Sequence, residues 1–197
     1  MTSQTRAAAH PIDPIFTERW SPRAFDPTAI PKADLDSMLE AARWAPSAFN
    51  YQPWRFLYAH RDGADWQRSL DILLPFNREW AQHASLLLFV LSDSLMDQAN
   101  GAEPKPLGSH SFDAGAAWAS LALQATRLGY HCHGMAGIDP DAARVALEVP
   151  DRFRIEAAVA IGRRGDPANL SEALQAREQP SDRKPITDFA FEGKFVR

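Results

Sequence analysis

The sequence predicts a layered fold in which helices cover a mixed β-sheet. Strand-like apolar runs alternate with helical patterns, the longest helical pattern lies near the middle of the chain, and no internal repeat is present. This arrangement favours a layered sheet over a barrel. A chain of 197 residues is long enough for one domain with a sizeable core, so a single domain over residues 1–197 is expected.

Short apolar and aromatic runs predict the strands, and helical spacing with capping residues and prolines predicts the helices. The predicted strands are 54–59, 86–91, 130–134 and 154–162. The predicted helices are 14–19, 32–45, 65–74, 77–83, 112–128 and 140–149. Pro75 separates the third helix from the fourth. The helix over 112–128 is apolar around most of its girth, so burial on all sides is expected.

Composition excludes several classes of function. The formal net charge is -4 and the pI is about 5.8, which disfavours a general surface for nucleic acid or acidic membrane. Cys132 is the single cysteine, so no intrachain disulfide is possible. The longest apolar run, 86–91, is too short to span a membrane, and the N-terminus lacks the apolar core of a secretory signal. A cytoplasmic protein is expected.

The two ends of the chain differ from the middle. Residues 1–10 are expected to be flexible. Residues 166–197 are interrupted by prolines but end in an apolar cluster, which consists of Phe189, Phe191, Phe195 and Val196. A solvated tail would not carry such a cluster, so the tail is expected to lie against a surface, either of a partner subunit or of its own subunit.

The sequence His131-Cys132-His133 raises the question of a metal. On a strand the two histidines share one face while Cys132 takes the other. Two ligands are fewer than zinc needs, so structural or pocket-lining histidines are favoured and no metal site is predicted.

Arg19-Trp20-Ser21-Pro22-Arg23 is a candidate anion site. In an extended segment, residues 19, 21 and 23 lie on one side, so two guanidinium groups and a hydroxyl would face one ligand. Arginine suits phosphate because its planar donors bind in pairs and stay charged. The alternative is a solvated basic loop.

The segment 45–54, Ala-Pro-Ser-Ala-Phe-Asn-Tyr-Gln-Pro-Trp, is stiff, aromatic and uncharged. Asn50 and Gln52 offer both donors and acceptors, as the edge of a heteroaromatic ring requires. The prolines would fix the backbone so that these amides are held in place. A rigid turn that anchors the core is the alternative interpretation.

Taken together, these segments resemble the nitroreductase family of FMN-dependent oxidoreductases. The resemblance covers nearly the whole chain. It rests on RxSxR at 19–23, PSxxNxQPW at 46–54, Asn77, Gly-Met-Ala-Gly at 134–137 and Arg-Lys-Pro at 183–185. It implies a three-layer α+β fold with a mixed, mainly antiparallel sheet flanked by helices. It also implies a homodimer with one FMN in each of two interfacial sites, and a tail, 166–197, that wraps the partner subunit.

The resemblance also implies which residues bind FMN. Those from one chain are Arg19, Trp20, Ser21, Arg23, Asn77, Met135, Ala136, Gly137, Arg183 and Lys184, with Arg163 and Arg164 as further phosphate candidates. Those from the neighbouring subunit are Pro46, Ser47, Ala48 and Asn50. Arg23 would act electrostatically, Asn77 would bind the pyrimidine edge, and Gly137 would offer its backbone N–H to flavin N5.

Trp80, His110 and Phe112 would line the substrate pocket, with ordinary core packing as the alternative for Trp80 and Phe112. Two positions depart from many relatives, which carry lysine where this chain has Trp80 and glutamate where it has Ala136.

The activity that the resemblance implies needs no nucleophilic side chain. NAD(P)H would reduce FMN, and a small electron-poor acceptor such as a nitroaromatic, a quinone or an activated carbonyl would then be reduced in turn. A reductive dehalogenase, an oxygen-dependent enzyme that fragments its flavin, and a flavin-binding module without turnover are the alternatives.

Overall fold

Five strands form one sheet at the centre of the molecule. The structure is a computed structural model and describes residues 6–195. The predictions for residues 1–5 and 196–197 therefore lie outside the described residues. The strands of the central sheet are β1 Phe25–Asp26, β2 Trp54–His60, β3 Leu86–Asp93, β6 His131–Met135 and β7 Phe153–Arg164. A separate hairpin pairs β4 Leu95–Met96 with β5 Lys105–Pro106. The mainly antiparallel sheet is confirmed, and every pairing among the described strands is antiparallel.

Strand β7 holds the sheet together because it pairs with three other strands. It pairs with β3 along most of its length, with β6 near its middle, and with β1 at its end. Successive side chains of β3 point to opposite faces, as strand geometry requires. Leu87, Phe89 and Leu91 enter one core, and Leu86, Leu88 and Val90 enter the other. The sheet is therefore buried on both faces.

Helices cover both faces of the sheet and give the three layers. The helices are α1 Ile15–Glu18, α2 Lys32–Arg43, α3 Trp66–Asp71, α4 Pro75–Ala81, α5 His110–Arg127, α6 Pro140–Ala146 and α7 Glu172–Gln175. Helices α2 and α5 pack together over one face, while α3, α4 and α6 lie on the other. None of the helices in residues 6–195 is long and apolar enough to cross a membrane.

Helix α5 is not buried on all sides within one chain, contrary to the expectation from its composition. Ala114, Leu121 and Ala125 face the core. Phe112 is 82% exposed, and the exposed Gly115 and Ala119 continue the same face at helical spacing. The sheet and α2 cover only part of the helix, which leaves an exposed stripe of small and apolar residues.

The first part of the C-terminal segment packs on its own subunit, which corrects the prediction that an extended wrapping tail begins at residue 166. Residues 166–178 form a 3-10 turn and α7, and they bury Leu170 and Leu174 in the core beside α3 and α4. Apolar burial holds this stretch in place. Residues 181–195 are exposed throughout. The wrapping-tail prediction therefore applies only to that later stretch.

Candidate functional site

A polar pocket lies where the 19–23 segment meets the C-terminal segment. The pocket has a volume of about 280 Å³. It is lined by Arg19, Trp20, Ser21, Arg23, His133, Arg177, Gln179, Ser181 and Arg183. The structure thus brings together the predicted residues of the 19–23 segment and Arg183. Sequence reasoning missed Arg177, Gln179 and Ser181, because an arginine or a hydroxyl in a proline-broken tail carries no signal of its own.

Four guanidinium groups of this pocket repel one another. Burial lowers the pKa of Arg19, and the charge of Arg183 lowers it further. Burial also lowers the pKa of Arg23, with the charge of Arg177 as the next cause and Glu178 acting in the opposite direction. None of the ion pairs among residues 6–195 includes any of these four arginines. The pocket is therefore matched to a strongly anionic ligand.

Glu178 fixes the backbone of the anion-binding segment. Its two carboxylate oxygens accept hydrogen bonds from the backbone N–H of Arg23 at 3.0 and 2.9 Å, and Oε1 also accepts from the N–H of Ala24 at 3.0 Å. Glu178 itself is buried. This clamp ties the C-terminal segment to the site, and Arg23 lies over the buried ring of Trp80 with 6.0 Å between its Cζ and the ring centroid.

Trp80 lies behind the pocket and does not line it. The side chain is 0% exposed, which makes the core-packing alternative the one observed. Its ring stacks on Phe25 with 6.2 Å between centroids and lies 4.4 Å from the ring of His133. Helix α4 points the side chain of Trp80 toward the sheet, so Trp80 supports Arg23 and His133 from beneath. Within one chain Trp80 is therefore placed for packing, and its role in a substrate pocket stays a prediction.

His131 and His133 lie on one face of β6, and Cys132 enters the opposite core, as the strand period predicts. The Nδ1 atom of His133 lies 2.9 Å from the carbonyl oxygen of Pro22. Burial lowers the pKa of His133 to about 4, assisted by the charges of Arg23 and Arg19 and opposed by hydrogen bonds with the backbone of Pro22 and Ser21. Burial raises the pKa of Cys132 to about 12, so this thiol stays protonated.

The lowered pKa of His133 makes stability depend on pH. A histidine of pKa 6.5 when unfolded and about 4 when folded contributes its full stability above pH 6.5 and loses it as pH falls toward 4. The total effect is about 3 kcal/mol at most. We expect the unfolding free energy of His133→Phe to fall less than that of wild type between pH 7.5 and pH 5. Urea unfolding of the cofactor-free protein measures both. The same change at exposed His83 is the control, and equal slopes for His133→Phe and wild type would contradict the prediction.

Asn77 and Gly137 contact each other and are not among the residues that line the pocket. The Nδ2 atom of Asn77 donates to the carbonyl oxygen of Gly137 at 3.0 Å, and the backbone N–H of Leu74 donates to the same oxygen at 3.1 Å. A Cβ atom on residue 137 would lie 2.4 Å from Asn77 Nδ2, so a larger residue here would displace the Asn77 side chain. The other two predicted residues of this segment differ in exposure. The side chain of Met135 is buried in the core, whereas Ala136 is exposed.

The other predicted phosphate ligands lie elsewhere. Arg163 stacks over Tyr130, with 4.5 Å from its Cζ to the ring centroid, and Arg164 stacks over Trp20 at 5.2 Å. Lys184 lines a neighbouring groove of about 860 Å³, together with Arg183 and apolar residues of both chain ends. Arg183 is therefore the predicted tail cation that reaches the pocket with Arg19.

The loop 46–52 is strained and exposed. Phe49, Asn50 and Gln52 have positive φ angles of 52°, 55° and 53°, which cost free energy in residues other than glycine and tend to occur at functional sites. The Oγ atom of Ser47 accepts from the N–H of Gln52 at 3.0 Å, which closes the loop on itself. Phe49 is 88% exposed.

Asp113 joins this loop to the start of α5. Its Oδ2 atom accepts a hydrogen bond from the N–H of Ala48 at 3.2 Å and another from Ser109 Oγ at 2.9 Å. Asp113 is only 3% exposed. The exposed Phe112 therefore lies on the helix turn that is bonded to the loop. The ring of His110 points inward, where its Nδ1 atom lies 2.7 Å from Ser92 Oγ.

The predicted site residues thus form two separate groups within one chain. Pro46, Ser47 and Asn50 do not line the pocket that contains Arg19 and Arg23. One group is recessed and cationic, and the other is exposed, uncharged and aromatic.

Comparisons with known proteins identify relatives of this chain. The family model described as "Nitroreductase family" matches residues 16–77. A solved structure described as "the oxidoreductase containing FMN" is 52% identical, covers 100% of this chain and 99% of its own, and has a TM-score of 0.95. NADH dehydrogenase of Thermus thermophilus is 30% identical over 174 residues, which are 74% of this chain and 82% of that protein. A Desulfovibrio desulfuricans protein solved in complex with FMN has a TM-score of 0.69 at 22% identity, over 94% of this chain and 100% of its own, and shows the fold alone.

The three-layer fold and these likenesses define the class of this protein, which is an oxidoreductase with the nitroreductase fold. Within that class, the chain belongs to the nitroreductase family.

Proposed function

We propose that two copies of this chain bind two FMN molecules and transfer hydride from NAD(P)H to a small electron-poor acceptor. The observation that carries the proposal is the separation of the two residue groups. Each chain has a recessed pocket with four guanidinium groups, and its exposed loop 46–52 does not line that pocket. In a homodimer the loop would complete the pocket of the other chain.

The residues of the pocket fit FMN. Arg19, Arg183 and Ser21 would hold the phosphate, because guanidinium and hydroxyl donors match its oxygens. The polar lining beyond them suits a polyol chain. Asn77 and Gly137 would border the pyrimidine side, where a Cβ on residue 137 would displace the Asn77 side chain.

Bound FMN would supply the hydride-transfer chemistry that links NAD(P)H to the acceptor. The chain's own residues would position the flavin and stabilise its charge. Arg23 would place positive charge at the edge where the reduced ring is anionic, and the backbone N–H of Gly137 would face N5. No residue of the site needs to act as a nucleophile, and the buried Cys132 thiol is kept protonated.

A homodimer would cover the exposed surfaces of the single chain. Trp44, Phe49 and Phe112 are 75%, 88% and 82% exposed. Like the stripe on α5, they are large or apolar groups exposed in the single chain, which an interface would remove from water. The exposed residues 181–195 would reach the partner subunit, and the groove beside Lys184 offers further apolar contact.

The test is anaerobic reduction of the purified, FMN-loaded protein by NADH and by NADPH. We expect the flavin absorbance to bleach and to return when a quinone or nitroaromatic is added, with bound FMN intact after repeated cycles. Failure to bleach would identify a non-catalytic module, and loss of FMN during cycling in air would identify a flavin-fragmenting enzyme.

The link between Asp113 and Ala48 gives a specific prediction. We expect Asp113→Ala to weaken FMN binding by about tenfold, because the loop that would complete the partner's pocket loses its attachment. Competition by inorganic phosphate should not change, because the guanidinium groups remain in place. Titration of flavin fluorescence measures both, with the exposed Asp36→Ala on α2 as a control. Wild-type FMN affinity in Asp113→Ala would contradict the role of this link.

A further inference from the structure

The charged part of the pocket lining offers hydrogen-bond donors only. Arg19, Arg23, Arg177 and Arg183 have only donors, because a guanidinium group has no acceptor. These groups suit a phosphate. A ligand that also carries O–H groups needs acceptors as well, and the side chains of the lining that can supply them are Ser21, His133, Gln179 and Ser181.

Among these acceptors, His133 is the one whose accepting atom the geometry fixes. A backbone carbonyl oxygen can only accept, so Nδ1, at 2.9 Å from the carbonyl oxygen of Pro22, must carry the hydrogen. Burial and the nearby charges of Arg23 and Arg19 keep the ring neutral at ordinary pH. A neutral imidazole protonated at Nδ1 has a lone pair at Nε2.

That lone pair is available to a ligand. Within the described part of the chain, Nε2 of His133 has no hydrogen-bond partner, and it is not among the fully buried polar atoms without a partner. His133 lines the pocket together with Arg19 and Arg23. Trp80 supports the ring at 4.4 Å and limits its movement.

We infer that His133 Nε2 accepts a hydrogen bond from a ribityl hydroxyl of FMN and so selects a phosphorylated polyol over a simple oxyanion. This rests on the proposed function only in placing FMN in the pocket. No nitrogen of the four arginines can take this role.

Two variants separate the acceptor from the packing of the ring. His133→Phe keeps an aromatic ring against Trp80 but has no acceptor, and His133→Gln places an amide oxygen near the position of Nε2. Dissociation of FMN from the diluted holoenzyme, followed by flavin fluorescence, gives the affinity. We expect His133→Phe to bind FMN about fivefold more weakly than wild type, and His133→Gln to recover most of the loss.

Cofactor analogues identify the partner atom. Holoenzymes are reconstituted with three deoxy analogues, each lacking one ribityl hydroxyl, and with N3-methyl FMN. For one deoxy analogue, wild type and His133→Phe should bind equally, because the interaction is already absent. Inorganic phosphate should compete equally with both proteins, whereas Arg19→Gln should weaken phosphate competition.

The outcomes distinguish this inference from the proposed function. Equal FMN affinity in wild type and both variants would overturn the role of His133 while leaving FMN binding intact. If the affinities of wild type and His133→Phe became equal only with N3-methyl FMN, the assignment to the ribityl chain would be overturned. No FMN binding by wild type would instead refute the proposed function.

Discussion

Replacement of Glu178 by alanine is expected to lower the free energy of unfolding by about 3 kcal/mol. The change removes the acceptors of the backbone N–H groups of Arg23 and Ala24, and Glu178 itself is only 9% exposed. Each buried donor left without a partner costs roughly 1–3 kcal/mol. Urea unfolding with an unchanged m-value measures the loss.

Two further variants make this prediction specific. Glu178→Gln keeps an amide oxygen where Oε1 accepts from both N–H groups, so it should lose less than half as much as the alanine variant. Glu172→Ala changes an exposed glutamate of α7 in the same segment and should stay within about 0.5 kcal/mol of wild type. If Glu178→Ala were as stable as Glu172→Ala, the clamp would have no energetic role.

Arg23→Gln is expected to lower the reduction potential of bound FMN by tens of millivolts. Arg23 would be the cation beside the ring edge that becomes anionic on reduction, because Trp80 occupies the position where many relatives carry a lysine. At about 4 Å and an effective dielectric constant near 20, one such charge pair is worth roughly 4 kcal/mol. For a two-electron couple this corresponds to about 90 mV as an upper bound before screening.

Potentiometric titration of the holoenzymes measures this effect. Arg23→Lys keeps a positive charge and should lie closer to wild type than Arg23→Gln does. Because the phosphate would be held mainly by Arg19 and Arg183, all three proteins should still bind FMN. An unchanged potential in Arg23→Gln would remove Arg23 from its electrostatic role.

Capping residues and prolines made most of the fold predictable. Asp139 caps α6 as its position before Pro140 indicates, with Oδ1 accepting from the N–H of Asp141 and Ala142. Pro75 was predicted to separate two helices, and it occupies the first turn of the second, α4. Leu74 before it is extended, which is the conformation that a following proline favours.

The contacts that organise the site could not be predicted from the sequence. Glu178 acts through backbone N–H groups 154 and 155 residues away, and a hydrogen bond to backbone leaves no mark on the residue that donates it. Asp113 looks like an ordinary helix-start carboxylate, yet it is buried and holds the loop at Ala48. Similarly, only the structure shows that the sheet and α2 leave one side of α5 exposed.

The central claim is that each FMN site is completed by two copies of the chain, and mixed dimers test it most directly. One parent carries Arg19→Glu in the pocket, and the other carries Asn50→Asp in the loop. Each change places a negative charge in its part of the site, so both parent homodimers should be inactive. If the sites are shared, a mixed dimer has one site with two altered parts and one site with none, so about half of the wild-type NAD(P)H-dependent activity and one tightly bound FMN per dimer should return. Mixed dimers as inactive as their parents would show that each chain builds its site alone.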